Sequence, residues 1–175
     1  MKILALDIAT NTGVCVGESG ATPKSWSVNL GEGRSQDARF SEVLRLTQGL
    51  IQTHNPDFIA VEAAIGGPKA SHYLIGLVAC VRGCAANRGV NCEGMHLGSI
   101  RKHFLGKSYT TKHFPHLKTA DAKKAIKGLV MDRCRLLGWH VEDDDAADAA
   151  ALWDYTCATK VRKFQAVPTG GLFNE

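Results

Sequence analysis

Long apolar runs are missing from this sequence: the N-terminal stretch Ile3-Leu4-Ala5-Leu6 is cut short by Asp7. A membrane span or a signal peptide needs a longer uncharged segment, so neither is expected there, and the expected location is cytoplasmic. CxxC spacing is also missing, since Cys15, Cys80, Cys84, Cys92, Cys134 and Cys157 are scattered through apolar segments. That scatter argues against zinc sites and disulfide frameworks and reads as reduced core thiols. Low-complexity segments and internal repeats are absent, which argues against a repeat array. The 175 residues are enough for one domain with a full core and too few for two large ones. Acid is scarce in one stretch. Arg101, Lys102, Lys107, Lys112, Lys118, Lys123, Lys124 and Lys127 face only Asp121 there, and they are eight of the 21 Lys and Arg in a chain of net charge +4. Clustered positive charge of this kind implies a polyanionic partner.

What is present begins with Ile3 to Leu6, the pattern of a strand covered on both faces. Ala9-Thr10-Asn11-Thr12-Gly13 is turn chemistry and Val14 to Val16 resumes the apolar run, which predicts an antiparallel hairpin with Asp7 near its bend. Ser25 to Leu30 alternates polar and apolar residues as a third strand. Phe40, Val43, Leu44, Thr47, Leu50 and Ile51 recur at helical spacing, predicting a helix over 35–54 capped by Ser35. Asn55-Pro56 ends it, and Asp57 to Glu62 is a further strand. With a helix between them, this strand is expected to lie parallel to the first and beside it. Helices are expected over 71–87, 97–105 and 119–137, with a strand over 90–95 and a brief extended segment at 139–141. The third of these helices is expected to turn Leu129 and Leu137 inward and Lys123, Lys124 and Lys127 outward. Gly106 to Thr119 has no apolar period and reads as a loop. Its Lys107, Tyr109, Lys112, His113, Phe114, His116 and Lys118 suit phosphate contact with base stacking, or an ordinary solvated loop with two partly buried rings.

Asp7 and Glu62 each end an apolar strand, and a lone carboxylate there costs several kcal/mol unless a cation, a metal or hydrogen bonds offset it. For Asp7 alone, hydrogen bonds from the Thr10-Asn11-Thr12 turn are a sufficient reading. Two neighbouring strand-end acids that repel one another favour a metal site at the end of the sheet where ligands bind in open α/β folds. The alanine-rich run Asp145-Ala146-Ala147-Asp148-Ala149 predicts a helix. Capping and the helix dipole account for Asp143, Asp144 and even Asp145. They do not account for Asp148, which lies on the face continued by Leu152 and Tyr155. Asp7, Glu62, Asp145 and Asp148 together would make an oxygen-rich pocket for a hard cation, Mg²⁺ or Mn²⁺.

Asp7 with Thr12-Gly13, Val61-Glu62 and Asp145-Ala146-Ala147-Asp148-Ala149 resemble, in order and spacing, the RuvC family of Holliday junction resolvases in the RNase H-like superfamily. The resemblance runs from Met1 to about Thr156 and takes in Gly76, Arg82 and Gly83. Lys123 falls where the family has a basic residue heading the penultimate helix. It implies an α/β RNase H-like fold with a mixed five-stranded sheet, an antiparallel three-strand meander plus parallel strands, flanked by helices. The nuclease domain would occupy 1–158 and a C-terminal tail 159–175. It also implies a homodimeric endodeoxyribonuclease that binds four-way or other branched DNA and nicks it with two Mg²⁺ ions. The catalytic and metal-binding residues would be Asp7, Glu62, Asp145 and Asp148. Lys102, Lys107, Lys112, Lys118, Lys123 and Lys124 are the expected DNA-binding residues. Ile8-Ala9 replaces the usual Pro-Gly, Ile65 stands where an aromatic is common, and the 106–119 loop is long. Such departures bear on junction opening and sequence preference rather than on the chemistry, and they are similar to divergent phage nucleases of this kind. Competing readings are a YqgF-like RNA nuclease and an actin-like or sugar-kinase ATP-binding domain. The short chain and the lack of a second Gly-rich phosphate loop argue against the latter.

Overall fold

The computed structural model describes residues 1–64, 66–67 and 70–161. Ile65 and most of the expected tail, from residue 162 on, lie outside the described residues. Strands β1 (Lys2–Asp7), β2 (Asn11–Glu18) and β3 (Lys24–Asn29) form the antiparallel meander. Helix α1 (Gln36–His54) leads to β4 (Phe58–Glu62), and α2 (His72–Asn87) leads to β5 (Asn91–Met95). Helices α3 (Leu97–Leu105), α4 (Thr119–Leu136) and α5 (Asp144–Lys160) follow, with a single 3-10 turn at Thr111–His113 in the basic loop. The sheet order is β3-β2-β1-β4-β5, with β4 parallel to β1 and β5 parallel to β4. This is the mixed five-stranded sheet expected from the sequence.

Strand parity decides what faces what. Successive side chains alternate between faces, so Ile3, Ala5, Phe58 and Ala60 join one core with α3, α4 and α5, while Leu4, Leu6, Ile59 and Val61 join the other with α1 and α2. The central strands are buried on both sides, which explains their unbroken apolar runs. Asp7 continues the Ile3-Ala5 series and Glu62 continues Phe58-Ala60. Both acids therefore belong to the face that α5 covers. Since Leu6 pairs with Val61, they also leave the sheet at the same end of adjacent strands.

Helix α5 can press closely on that face because both surfaces are small. Its Ala146, Ala147, Ala149 and Ala150 are fully buried, and β2 presents Gly13, Cys15 and Gly17 beneath it. An added Cβ at Gly13 would lie 2.0 Å from the Asp145 carbonyl oxygen, and one at Gly17 would lie 3.2 Å from the Trp153 ring. Trp153 donates its indole N–H to the Gly17 carbonyl at 3.2 Å, which fixes the helix along the strand. Asp143 caps α5 by accepting from the Ala146 N–H at 2.8 Å, and the Ser27 hydroxyl of β3 donates to the other Asp143 oxygen. Ser35 and Ser71 cap α1 and α2 in the same way.

Three local expectations are corrected. Residues 139–141 form no strand; Trp139 instead packs its ring against Phe104 and Trp153. Leu137 is 39% exposed and Leu129 only half-buried, because α4 has a narrow buried stripe of Ala122, Ile126, Val130 and Cys134. Lys127 does not point outward with Lys123 and Lys124. It turns to the start of α5. The six cysteines are free, and no helix among the described residues is long and apolar enough to cross a membrane.

Candidate metal centre and nucleic-acid face

The turn after β1 does not serve Asp7. Thr10 bonds the Tyr73 hydroxyl at 3.4 Å, the Thr12 hydroxyl donates to the Ala9 carbonyl at 2.8 Å, and the Asn11 amide oxygen accepts from Asn29 at 2.5 Å. Among the described residues, none of these side-chain hydrogen bonds from the turn reaches the Asp7 carboxylate. Other carboxylates surround it instead. Burial, then the charges of Glu62, Asp148 and Asp145, push the Asp7 carboxyl well above its usual range, against the pull of Lys127. Glu62 is pushed up to about 7, first by burial and then by Asp148, with Arg101 and Lys127 acting the other way. Asp148 is pushed up to about 6, chiefly by burial. The four acids predicted from the sequence are thus brought into one electrostatic cluster.

Two of the four acids, Asp7 and Glu62, line a cleft of about 120 Å³ together with Ile8, Ala63, Ser71 and Leu74, among others, whereas Asp145 and Asp148 do not line it. It lies at the carboxyl ends of parallel strands β1 and β4, where open α/β sheets take their ligands. Among the described residues no three carboxylate, imidazole or thiol groups stand ready around one point as a metal cage. The donor set nevertheless fits a hard divalent cation, because all four groups are carboxylates, and at Asp7, Glu62 and Asp148 burial first and repulsion from neighbouring acids second disfavour the charged form. A cation among them removes that repulsion.

Two cations adjoin the acids, and neither was chosen from the sequence as a site residue. Arg101 in α3 lowers the pKa of both Glu62 and Asp148, and its buried Nε has no hydrogen-bond partner among the described residues. Lys127 in α4 contacts Asp144 at 2.6 Å and Asp145 at 3.2 Å. No local signal could have found them: each directly follows a buried residue, Ile100 or Ile126, but so does the exposed Lys123 after Ala122. The predicted DNA-binding residues Lys102, Lys107, Lys112, Lys118, Lys123 and Lys124 are all exposed. In the basic loop, Tyr109 is flanked by Lys107, with its ammonium 5.6 Å from the ring centre, and by the His113 and Phe114 rings. His103 pairs with Asp154 at 2.9 Å.

The raised acids set a pH dependence. When folding raises a carboxyl pKa, stability is fully present below the unfolded value and is lost as pH rises through the folded one. The metal-free protein is therefore expected to lose thermal stability between about pH 4 and about pH 7 through Glu62 and Asp148. Added Mg²⁺ is expected to restore it at the upper end. Asp144, lowered by its bond with Lys127, acts only below that window. Thermal unfolding with EDTA and with Mg²⁺ at both ends of the window checks this. A flat metal-free profile would contradict it.

No family model and no curated protein matches the sequence. Solved structures do match. Thermus thermophilus RuvC is similar over 90% of this chain and 96% of its own, with 15% identity and a TM-score of 0.61. The same protein in complex with a Holliday junction substrate gives 16% identity and a TM-score of 0.66, over 89% of this chain and 92% of its own. The yeast mitochondrial Holliday junction resolvase Ydc2 gives 12% and 0.57, over 89% and 80%. The chain thus has the RNase H-like fold. Its arrangement of strands and helices is similar to that of these solved structures.

Proposed function

We propose that this chain is a metal-dependent, structure-selective endodeoxyribonuclease that cleaves Holliday junctions or other branched DNA. The observation that carries the reading is the convergence of Asp7, Glu62, Asp145 and Asp148 at one end of the sheet, in a fold shared with resolvases, one of them bound to a Holliday junction. These four acids would hold Mg²⁺, with Mn²⁺ as a substitute, as two ions. When bound, such ions supply an activated water and charge stabilisation for the departing 3′ oxygen.

The chain's own residues supply the rest. Arg101 offsets the charge of Glu62 and Asp148 without capping either carboxylate, which leaves their oxygens available. Lys102, Lys123 and Lys124 are free to meet backbone phosphates, which position DNA without reading its sequence. Lys107, Lys112 and Lys118 extend this surface along the loop, where Tyr109 offers a stacking face. Two opposed cuts in one junction call for two active sites, so a homodimer is part of the proposal.

The test is cleavage of a four-way junction with and without Mg²⁺, beside linear duplex, a fork and structured RNA. Mg²⁺-dependent nicking of the junction at least about tenfold faster than of duplex is expected, because phosphate contacts alone do not discriminate between them. Preference for RNA, or equal cutting of duplex, would contradict the reading.

A further inference from the structure

Among the described residues, Asp145 is the one acid of the four that carries an ion pair at contact distance. Its partner, Lys127, bonds Asp144 as well, and Asp144 is not among the four proposed ligands. The backbone of α4 is held at this point by Ile126 and Val130, 3% and 1% exposed. The ammonium reaches α5 on a flexible four-carbon stem, so moving it requires rotation of the side chain only.

An ammonium donates hydrogen bonds and coordinates nothing. The Asp145 oxygen that accepts from Lys127 is therefore engaged by a positive group already. Mg²⁺ on that oxygen would sit about 2.1 Å away, leaving a second cation crowded onto the same atom. We propose that Lys127 is a positioning residue whose ammonium occupies the cation position at Asp145 in the metal-free protein, and that cation entry drives it off Asp145 and onto Asp144 alone. This rests on the reading of the four acids as cation ligands. Asp144 then has a defined use: it keeps the displaced ammonium at the rim of the site, beside the exposed lysines.

The test is nuclear magnetic resonance of the full-length chain carrying ¹⁵N-labelled lysine, titrated with Mg²⁺, alongside calorimetric Mg²⁺ binding. In the metal-free protein the doubly paired Lys127 ammonium is expected to give a slowly exchanging resonance, assigned by its loss in Lys127→Met. Mg²⁺ is expected to speed its exchange with solvent, with a midpoint equal to the calorimetric one. Lys127→Met is expected to bind Mg²⁺ about tenfold more tightly, as for removal of a competing contact pair. Arg101→Met, which removes a charge felt by Glu62 and Asp148 without freeing a contacted oxygen, is expected to gain less. A Lys127 signal indifferent to saturating Mg²⁺, or a Lys127→Met affinity no tighter than that of Arg101→Met, would overturn the exclusion and leave the nuclease reading standing. Failure of every chain to bind Mg²⁺ would overturn both.

Discussion

Asp148→Asn and Asp7→Asn are each expected to lower Mg²⁺-dependent junction cleavage by more than about 100-fold, while junction binding in EDTA stays within about twofold. The factor follows from position: a partner once removed from a metal is worth about 10–100-fold, and these acids are proposed as direct ligands. Asparagine keeps the size of aspartate and deletes its charge, so the effect isolates cation holding from shape. DNA affinity should persist because the exposed lysines, not the acids, carry it. Both variants should also melt higher than the parent without metal, since each removes a carboxylate whose charged form burial disfavours. Cleavage rates of purified variants beside gel-shift affinities and melting curves settle this. Near-parental cleavage by either variant would remove that residue from the site.

Gly13→Ala is expected to cost about 3 kcal/mol, the upper end for forcing volume into a packed contact, or about 6–12 °C in Tm for a chain of this size. The methyl group would meet the Asp145 carbonyl oxygen at 2.0 Å and its carbon at 2.7 Å. Those are backbone atoms of a helix and cannot rotate aside. Helix α5 must lift from β2, and Asp145 and Asp148 go with it, so cleavage should fall together with stability. Gly83→Ala is the control, because it sits inside α2 with nothing within 4 Å of the added carbon. It should be neutral or slightly stabilising, as alanine is the better helix former. Parallel urea unfolding of the two variants gives the comparison. A Gly13→Ala curve coinciding with the parent's would mean that the helix is not seated on the strand.

Most of the fold was legible because burial writes a period into the sequence. Two-residue alternation along β3, unbroken runs in β1 and β4, and the helical stripe of α1 each named their element and its inner face, with one exception. Leu44, expected on the inner face of α1, is 38% exposed because the buried stripe is the narrower Val43, Thr47, Leu50 and Ile51. The acids were legible for a related reason, since a carboxylate closing an apolar run, or placed on the inner face of an alanine-rich helix, conflicts with its surroundings. Lys127 and Arg101 were harder to read. Both belong to a run of basic residues in which nothing local separates a side chain facing solvent from one facing another element. Their direction is decided by where α5 lies, a contact spanning about 20 residues for Lys127 and more for Arg101. The segment 139–141 misled for a similar reason: Trp139 looks strand-like in isolation, but its place is set by the rings of Phe104 and Trp153.

The four acids are contributed at positions 7, 62, 145 and 148, and α5 is the last described element to leave the ribosome. Chains are made from the N-terminus and fold in that order, so a partly synthesised molecule can assemble its sheet while still missing half of its carboxylates. Such a nascent chain would be unable to cut nucleic acid, including the messenger that encodes it, until the final helix docks. The proposed activity would thereby be timed to the docking of α5.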